Sequence, residues 1–229
     1  MGWWVFGLRL RLRRQGMQVR FVFGPNLRMA GKPHLDVDVV EGRGGGTLTI
    51  AIGAHVRIGR DTVFDVRPGS DNTVEIGEGT VLEDHVRFQL RGGAVRLADH
   101  ASVRDGCQFK SSGELLVGSR VVVGRGSALH CAERIELGDH VGLAERVSII
   151  DSDHVADGSS TWFLDQPLEV APVVLEDNVW VGANVAILRG ALVRANAVVA
   201  AGSVVGAGEH PGGWLIGGAP ARPLKSLSE

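Results

Sequence analysis

The sequence has few of the residues that mark several common classes of protein. Its 229 residues include no tyrosine, three methionines and only two cysteines, Cys107 and Cys131. Two distant cysteines do not make the multi-bridge framework of a small secreted domain, and no Cys-x-x-Cys metal spacing occurs. We therefore expect no bound metal, and a reducing compartment, the cytoplasm, as the location.

The chain also lacks an excess of either charge. Lysine and arginine number 24 and aspartate and glutamate 26, which gives a net charge of −2 and a pI near 6.4. Because nucleic-acid-binding domains are usually strongly basic, we expect no nucleic-acid partner. Apolar residues make up 44% of the chain and charged residues 22%, which is enough apolar surface to bury a core.

No long apolar run is present, but the N-terminus is unusual. Residues 2–8 are apolar, and Arg9, Arg11, Arg13 and Arg14 follow them. A signal peptide carries its positive charge before the apolar segment, and a spanning helix needs about 20 apolar residues, so neither description fits. One interpretation is contact with a membrane surface. We favour the other, an arm that packs on a neighbouring subunit.

Glycine is abundant, with 33 residues, and apolar residues recur every six positions. The segment Ile76-Gly77-Glu78-Gly79-Thr80-Val81 shows the unit: an apolar residue opens it, a corner residue stands fourth, and a small or branched residue stands fifth. Such units group in threes, and seven triplets supply 21 apolar opening positions. These are Ile52, Ile58, Phe64, Ile76, Leu82, Phe88, Leu97, Val103, Phe109, Val117, Val123, Leu129, Leu137, Leu143, Ile149, Leu175, Val181, Ile187, Val193, Val199 and Val205.

The fourth position gives an independent test of the pattern. In the first two units of each triplet, 12 of 14 fourth residues are glycine, asparagine, aspartate or histidine. These types best tolerate the left-handed backbone of a tight corner. Each unit thus predicts one short strand and one corner, and three units close a triangular coil. Residues 46–206 would form the coils, 1–45 an N-terminal arm or cap, and 207–229 a short C-terminal cap segment.

One interval between triplets is too long. The triplets start 24, 21, 20, 20, 38 and 18 residues apart, so the step from Leu137 to Leu175 carries about 18 extra residues. The stacked triangular coils would form a prism, and these extra residues must leave it as a loop at about residues 152–171. Long loops on a rigid scaffold usually carry function, and the aromatic Trp162 suggests that this one packs on something.

The histidines divide by their position in the repeat. His154 stands at the start of the loop and outside the pattern, so it is either a functional residue or an ordinary surface histidine. His130, on the preceding coil, could line the same groove. Corner positions explain four others structurally: His55, His85, His100 and His140.

The C-terminal repeats carry specific motifs. Residues 177–184 read DNVWVGAN, residues 198–205 read VVAAGSVV and residues 217–222 read GGAPAR. With the six-residue period, they resemble the hexapeptide-repeat acyltransferases, in particular galactoside, maltose and xenobiotic acetyltransferases and polysaccharide O-acetyltransferases. The resemblance covers about residues 46–225. It implies an all-β fold, a left-handed parallel β-helix of about seven coils with one extruded loop, and assembly as a homotrimer.

The resemblance also implies a catalytic histidine at the base of the loop, the position of His154. A neutral imidazole can take the proton of an acceptor hydroxyl and return it to the leaving thiolate. A neighbouring carboxylate would hold the ring, as in catalytic triads. Asp151 is our preferred partner and Asp153 the other candidate, with the alternative that both only stabilise the start of the loop.

The acyl donor implied by the family is acetyl-CoA, bound between adjacent prisms. The Ala183 N–H would meet the thioester oxygen, and Ala201 would lie beside the pantetheine arm. Trp180 matches an aromatic position beside donor and acceptor. Arg222 and Lys225 match basic positions near the phosphates and the adenine, or belong to an ordinary charged C-terminus.

The acceptor site departs from the galactoside enzymes. Gly124 stands where they have an asparagine that holds the sugar, and Ala132 falls near their acidic contact. The galactoside substrate is therefore not transferred to this chain. His130, Asp153 and Trp162 are our candidate acceptor contacts, chosen by location.

The resulting hypothesis is an acetyl-CoA-dependent O-acetyltransferase acting on a sugar or sugar-bearing metabolite, by direct attack on the thioester. The alternatives are an N-acyltransferase acting on an aminosugar or other amine, and a non-catalytic β-helix scaffold. A third class with this prism, the γ-type carbonic anhydrases, needs two histidines five residues apart on one coil, and no pair has that spacing.

Overall fold

A computed structural model describes residues 12–13, 16–38 and 44–227. It confirms the predicted fold, a left-handed parallel β-helix. Face 1 of the prism contains the strands Gln18–Phe23, Thr47–Ile52, Asn72–Ile76, Ala94–Leu97, Glu114–Val117, Arg134–Leu137, Val173–Leu175, Ala191–Val193 and Gly208–His210. Face 2 contains Arg28–Met29, Arg57–Ile58, Val81–Leu82, Ser102–Val103, Val122–Val123, Gly142–Leu143, Trp180–Val181, Val198–Val199, Trp214–Gly218 and Ala221–Ser226. Face 3 contains His34–Val37, Val63–Val66, Arg87–Leu90, Gln108–Ser111, Ala128–Cys131, Ser148–Ile150, Ala186–Ile187 and Val204–Val205.

The described residues form about eight coils, one more than the sequence pattern predicted. The additional coil lies at residues 18–37, which we had assigned to an N-terminal arm. Phe23, Met29 and Leu35 pair in register with Ile52, Ile58 and Phe64 of the next coil. This coil escaped the sequence pattern because Pro33 and a long connection to the next triplet interrupt the repeat.

The structure describes little of the chain before the first coil, but it describes the C-terminal segment as far as residue 227. The apolar segment 2–8 and most of the arginines after it lie outside the described residues, so both interpretations of the N-terminus stay predictions. At the other end, Ala221–Ser226 folds back antiparallel on Trp214–Gly218. No helix in the described part of the chain is both long and apolar enough to cross a membrane.

The core is a stack of the opening residues. All 21 are buried, with exposed fractions of 0–5%. Phe64, Phe88 and Phe109 stack on consecutive coils with ring centroids 5.3 Å apart. Cys107 is also fully buried, as expected for a core position. The six-residue period therefore predicts burial, because it places one apolar side chain in the interior of the prism from each face of every coil.

The corners confirm the other half of the pattern. All 14 fourth-position residues have φ between 54° and 71°. The set includes the four corner histidines, and also Arg120 and Arg146, whose residue type does not favour this conformation. The path of the coil therefore imposes the positive φ at each corner, and a favourable residue type only lowers the strain of adopting it.

The predicted loop is present as a hairpin. Ser152–His154 pairs antiparallel with Leu168–Val170, and a short 3-10 turn at Phe163–Asp165 lies near its tip. The hairpin leaves the prism after the face 3 strand Ser148–Ile150 and returns before the face 1 strand Val173–Leu175. It therefore projects from the corner between faces 3 and 1.

Candidate active site

The hairpin is anchored by Asp151, whose side chain is fully buried. Its carboxylate accepts hydrogen bonds from the backbone N–H groups of Ala132, Glu133 and Arg134, at 2.7–2.8 Å. Its own carbonyl accepts from Ala171 N at 3.0 Å and so ties the returning strand to the departing one. These contacts support the alternative in which Asp151 stabilises the start of the loop, because its carboxylate hydrogen bonds in the structure go to backbone.

His154 ends the outgoing strand of this hairpin and is exposed. Its ring meets the Phe163 ring edge to face, with centroids 5.4 Å apart and planes at 84°. Trp162 packs edge to face on Phe163 in turn, at 6.1 Å. The aromatic tip therefore folds back over the histidine, and Trp162 itself stays 59% exposed.

A second fastening beside His154 is ionic. Asp153 and Glu169 lie directly opposite each other on the two hairpin strands. Arg189, from the next coil, bonds both carboxylates, with its Nε 3.0 Å from Asp153 Oδ2. Like charges directly opposite in a sheet repel, and Arg189 offsets this repulsion by bonding both carboxylates. Asp153, a candidate acceptor contact, is thus occupied by Arg189 in the structure.

The predicted donor residues meet at the corner between faces 2 and 3. Ala183 and Ala201 occupy the same position on consecutive coils, and the Ala183 carbonyl accepts from Gly202 N at 2.9 Å. A Cβ on Gly182 would lie 2.6 Å from Ala201 N, so the coils stack here at backbone distance. Neither alanine N–H has an acceptor within the described residues. At this corner the backbone is therefore covered only by small side chains, and the N–H groups of Ala183 and Ala201 are available to donate hydrogen bonds.

Trp180 and Lys225 lie along one row of face 2. Trp180 is in register with Val198, Val198 with Leu215, and Leu215 with Lys225. Three strand spacings separate Trp180 from Lys225, about 14 Å. The Trp180 indole lies over Gly142 of the preceding coil, where a Cβ would come within 2.6 Å of the ring. This glycine lets the half-exposed indole lie flat on the face.

Arg222 is placed opposite Gly217 on the antiparallel pair that ends face 2. Its Nη1 donates to the carbonyl of Ala221 at 2.8 Å, and the side chain is exposed. The structure thus brings Trp180, Ala183, Ala201, Arg222 and Lys225 to one region, face 2 and the corner after it.

His154 is not brought to that region within one chain. It lies at the corner between faces 3 and 1, whereas Ala183 lies at the corner between faces 2 and 3, on the coil that directly follows the hairpin. The width of face 3, roughly 15–20 Å for six extended residues, separates the two corners. Within one chain, His154 and Ala183 therefore lie at similar positions along the prism axis but at different corners.

His130 lies on face 3 between these corners, half-buried and in register with Lys110 and Ile150. Burial lowers the pKa of His130, and the charge of Lys110 lowers it further. Both causes favour the neutral form of the ring, which lies on the coil that also supplies the N–H groups bound by Asp151.

Neither cysteine is a candidate nucleophile. Burial raises the pKa of Cys107 to about 11. Burial, together with the charge of Asp151, raises the pKa of Cys131 to about 12. Both thiols are buried and protonated at neutral pH. The described residues contain no group of three or more histidine, cysteine, aspartate or glutamate side chains arranged to hold a metal ion.

Comparisons with known proteins agree with the repeat. The chain matches no protein-family model. It is 31% identical, over 157 residues, to a probable acetyltransferase of Mycobacterium tuberculosis, a match that covers 67% of this chain. The chain spans about half the length of that relative, since the match covers 50% of it.

Three solved structures are also similar. An N-acyltransferase from Bacillus cereus, AntD, in complex with dTDP and coenzyme A, matches with a TM-score of 0.45 and 16% identity, over 95% of this chain and 89% of its own. A maltose O-acetyltransferase from Clostridium difficile matches with 0.42 and 22%, over 95% and 73%. A hexapeptide-repeat acetyltransferase from Vibrio cholerae, complexed with acetyl coenzyme A, matches with 0.37 and 24%, over 77% and 73%.

These structural likenesses are too distant to carry site details to this chain. The six-residue repeat, the motifs of residues 177–222, the left-handed coil and the mycobacterial relative together support the resemblance of this chain to the hexapeptide-repeat acyltransferases.

Proposed function

We propose that this protein is an acetyl-CoA-dependent acetyltransferase that acetylates a hydroxyl group of a sugar or sugar-bearing metabolite. The observation that carries the proposal is the interruption of the repeat by the hairpin at residues 152–170. It presents an exposed histidine, His154, on a hairpin that a buried carboxylate and an arginine fasten in place. The relative named as a probable acetyltransferase supports the reaction class.

In the proposed mechanism, His154 is the general base. Its imidazole takes the proton of the acceptor hydroxyl while the oxygen attacks the carbonyl carbon of the thioester. The Ala183 N–H, free of any acceptor in the described residues, donates to the oxyanion of the tetrahedral intermediate. The C–S bond then breaks, and the imidazolium returns the proton to the departing thiolate. The products are the acetyl ester and free coenzyme A.

The donor-binding groups proposed for acetyl-CoA are those of face 2 and its following corner. Small residues at Ala183 and Ala201 let an extended thioester arm approach the backbone, and Trp180 offers an apolar wall. Arg222 and Lys225 are exposed cations at the C-terminal end of the same face, suited to phosphate groups. All five are assigned to the donor here because they converge on one surface.

A second copy of the chain completes this site. Because one face separates His154 from Ala183, we propose a homotrimer in which the hairpin of one protomer reaches the donor corner of its neighbour. Sedimentation should then give three times the 24.3 kDa chain mass. A monomer at micromolar concentration would contradict the shared site.

The acceptor is proposed to lie between the hairpin and face 3. Trp162 offers an exposed aromatic surface on which a sugar ring can stack, and the half-buried His130 offers a hydrogen bond. Asp153 contributes only if a substrate competes for its carboxylate, since Arg189 holds it. We also propose the cytoplasm as the location, because both thiols are unpaired.

The test is direct. Purified protein is incubated with acetyl-CoA and a panel of sugars, sugar derivatives and aminosugars, and thiol release is followed. We expect at least one hydroxyl acceptor to raise the rate above acceptor-free hydrolysis, and His154→Ala to abolish that increase. Stimulation by amines alone would replace the O-acetyl assignment with N-acylation. Stimulation that survives His154→Ala would overturn the assigned base.

A further inference from the structure

A pair of arginines lies at the other end of the prism, far from the candidate active site. Arg28 and Arg57 are in register on the first two strands of face 2, and both are exposed. Each directly precedes an inward-facing apolar residue, so both side chains point outward on the same face. Adjacent strands are about 4.8 Å apart, which places two like charges side by side.

Ten of the 17 arginines in the described residues pair with carboxylates, and Arg28 and Arg57 are not among them. The ten are Arg60, Arg67, Arg87, Arg91, Arg96, Arg104, Arg125, Arg134, Arg189 and Arg194. Within residues 16–38 and 44–227, no carboxylate pairs with Arg28 or Arg57. Glu83 lies along the neighbouring groove, but its carboxylate bonds Arg104.

Arg28 and Arg57 line a cavity that is open to the surface. It has a volume of about 270 Å³, and its lining is Asn26, Arg28, His55 and Arg57. Asn26 and His55 are the corner residues of the same two coils, both with φ of 59°, and Asn26 Nδ2 lies 3.5 Å from His55 Nδ1. All four lining side chains can donate hydrogen bonds, and none is acidic. The cavity is thus built from cations and donors alone.

We propose that this cavity is a binding site for a phosphate-bearing anion. Like charges in register destabilise a sheet, and a bound anion would turn that repulsion into attraction. The planar guanidinium group binds phosphate oxygens in pairs, and two such groups side by side suit one dianionic group. The volume lies just below the range of about 300–1,000 Å³ that is typical of drug-sized ligands, which fits a small anionic group.

The site is separate from the proposed acetyl-transfer chemistry. Arg57 lies on the second coil and Ala183 on the seventh, so about five coil spacings, roughly 24 Å, separate them. The anionic group can belong to a soluble phosphate ester or to a phospholipid headgroup. Both present the same chemistry to the arginines, and a comparison of inorganic phosphate with phospholipid vesicles distinguishes them.

The experiment measures anion binding to the full chain by isothermal titration with inorganic phosphate, and by co-sedimentation with vesicles of phosphatidylglycerol or of phosphatidylcholine. The variants are Arg28→Gln and Arg57→Gln. Arg20→Gln is the matched control, because Arg20 is exposed, has the same charge and lies on face 1 of the same first coil. Thermal unfolding of every variant checks that it folds.

We expect saturable phosphate binding that falls at least tenfold in Arg28→Gln and in Arg57→Gln and is unchanged in Arg20→Gln. Phosphate binding without vesicle binding assigns a soluble ester. Binding to phosphatidylglycerol vesicles that phosphate reverses, and that phosphatidylcholine does not share, assigns a headgroup. The proposal is overturned if neither probe binds, or if Arg20→Gln weakens binding as much as the cavity variants do.

Discussion

The corner between faces 2 and 3 is built differently at the two ends of the prism. In two early coils the third position of this corner is charged, and a carboxylate of the next coil bonds its backbone N–H. Arg60 N donates to Asp84 Oδ1 at 2.7 Å, and Asp84 N to Asp105 Oδ1 at 3.1 Å. In the late coils the same position is Ala183 and then Ala201, whose N–H groups have no acceptor in the described part of the chain.

The difference shows how one repeat supplies both scaffold and site. The coil fixes the path of the backbone, but the outward residues decide whether the corner is closed by its own carboxylates or left open. The early corner also carries the ion pairs Arg60–Asp84 and Arg125–Asp105, which cover the backbone. The late corner is uncovered, and the hairpin leaves the prism at the same level. Substitutions that exchange these properties test whether the open end is the functional one.

The largest effect is expected at the open end, from His154→Ala. Loss of a general base lowers kcat by roughly 10²–10⁴. The Michaelis constant for acetyl-CoA should change little, because the donor corner is untouched. Steady-state kinetics with the best acceptor from the panel provides the measurement. A fall confined to the Michaelis constant would show that the side chain only binds.

The next variant closes the open corner. In Ala201→Asp, the introduced carboxylate stands where Asp84 stands relative to Arg60, and we expect it to accept the Ala183 N–H. Removal of one oxyanion donor costs about 10²–10³ in kcat. Ala201→Ser is the control, because it keeps the side chain small. If Ala201→Asp retained full activity, the Ala183 N–H would have no role in the reaction.

The sequence predicted the closed part of the molecule better than the open part. The 21 opening residues and 14 corners follow from local rules that recur every six positions, so each unit supports the assignment of the others. The first coil was missed where this support stops, although Phe23, Met29 and Leu35 keep the spacing. A search that allowed proline in the fifth position would have found it.

The contacts of the hairpin are a different case. Arg189 belongs to an ordinary corner by its sequence position, and its bonds to Asp153 and Glu169 depend on where a non-repeating segment folds. The burial of Asp151 has the same cause. Its three N–H partners come from a corner whose geometry no sequence pattern states.

A smaller effect is expected at the junction between the two regions, from Asp151→Asn. Asp151 Oδ2 accepts from Glu133 N and Arg134 N, and an amide nitrogen at that position cannot accept either bond. Each buried group left unpaired costs about 1–3 kcal/mol. We expect the hairpin to loosen, which hydrogen exchange at residues 152–170 would detect as lost protection. Unchanged protection, with loss of activity, would instead support a direct role beside His154.

At the closed end, Asp84→Ala should affect stability alone. It removes the acceptor of Arg60 N and an exposed ion pair, and we expect only a small loss of stability because solvent screens such contacts. Chemical denaturation measures the loss in unfolding free energy, and kcat should stay at the level of the unmodified protein. A loss of activity without a loss of stability would place function at the early corner and contradict the division drawn here.

The smallest effect is expected from His140→Asn, the counterpart of His154→Ala. His140 occupies a corner with φ of 60°, and asparagine adopts that conformation as readily as any residue with a side chain, as Asn178 does at the matching corner of the next coil with φ of 58°. The imidazole is exposed and its backbone N–H bonds Ser119 O, a contact that the substitution keeps. Activity and unfolding free energy should therefore both stay within error of the unmodified protein. His140→Val sharpens the test, because a β-branched residue is strained at positive φ and should lower stability while leaving kcat unchanged. If His140→Asn abolished activity and His154→Ala did not, the corner histidines would be the functional ones and the hairpin a structural insertion.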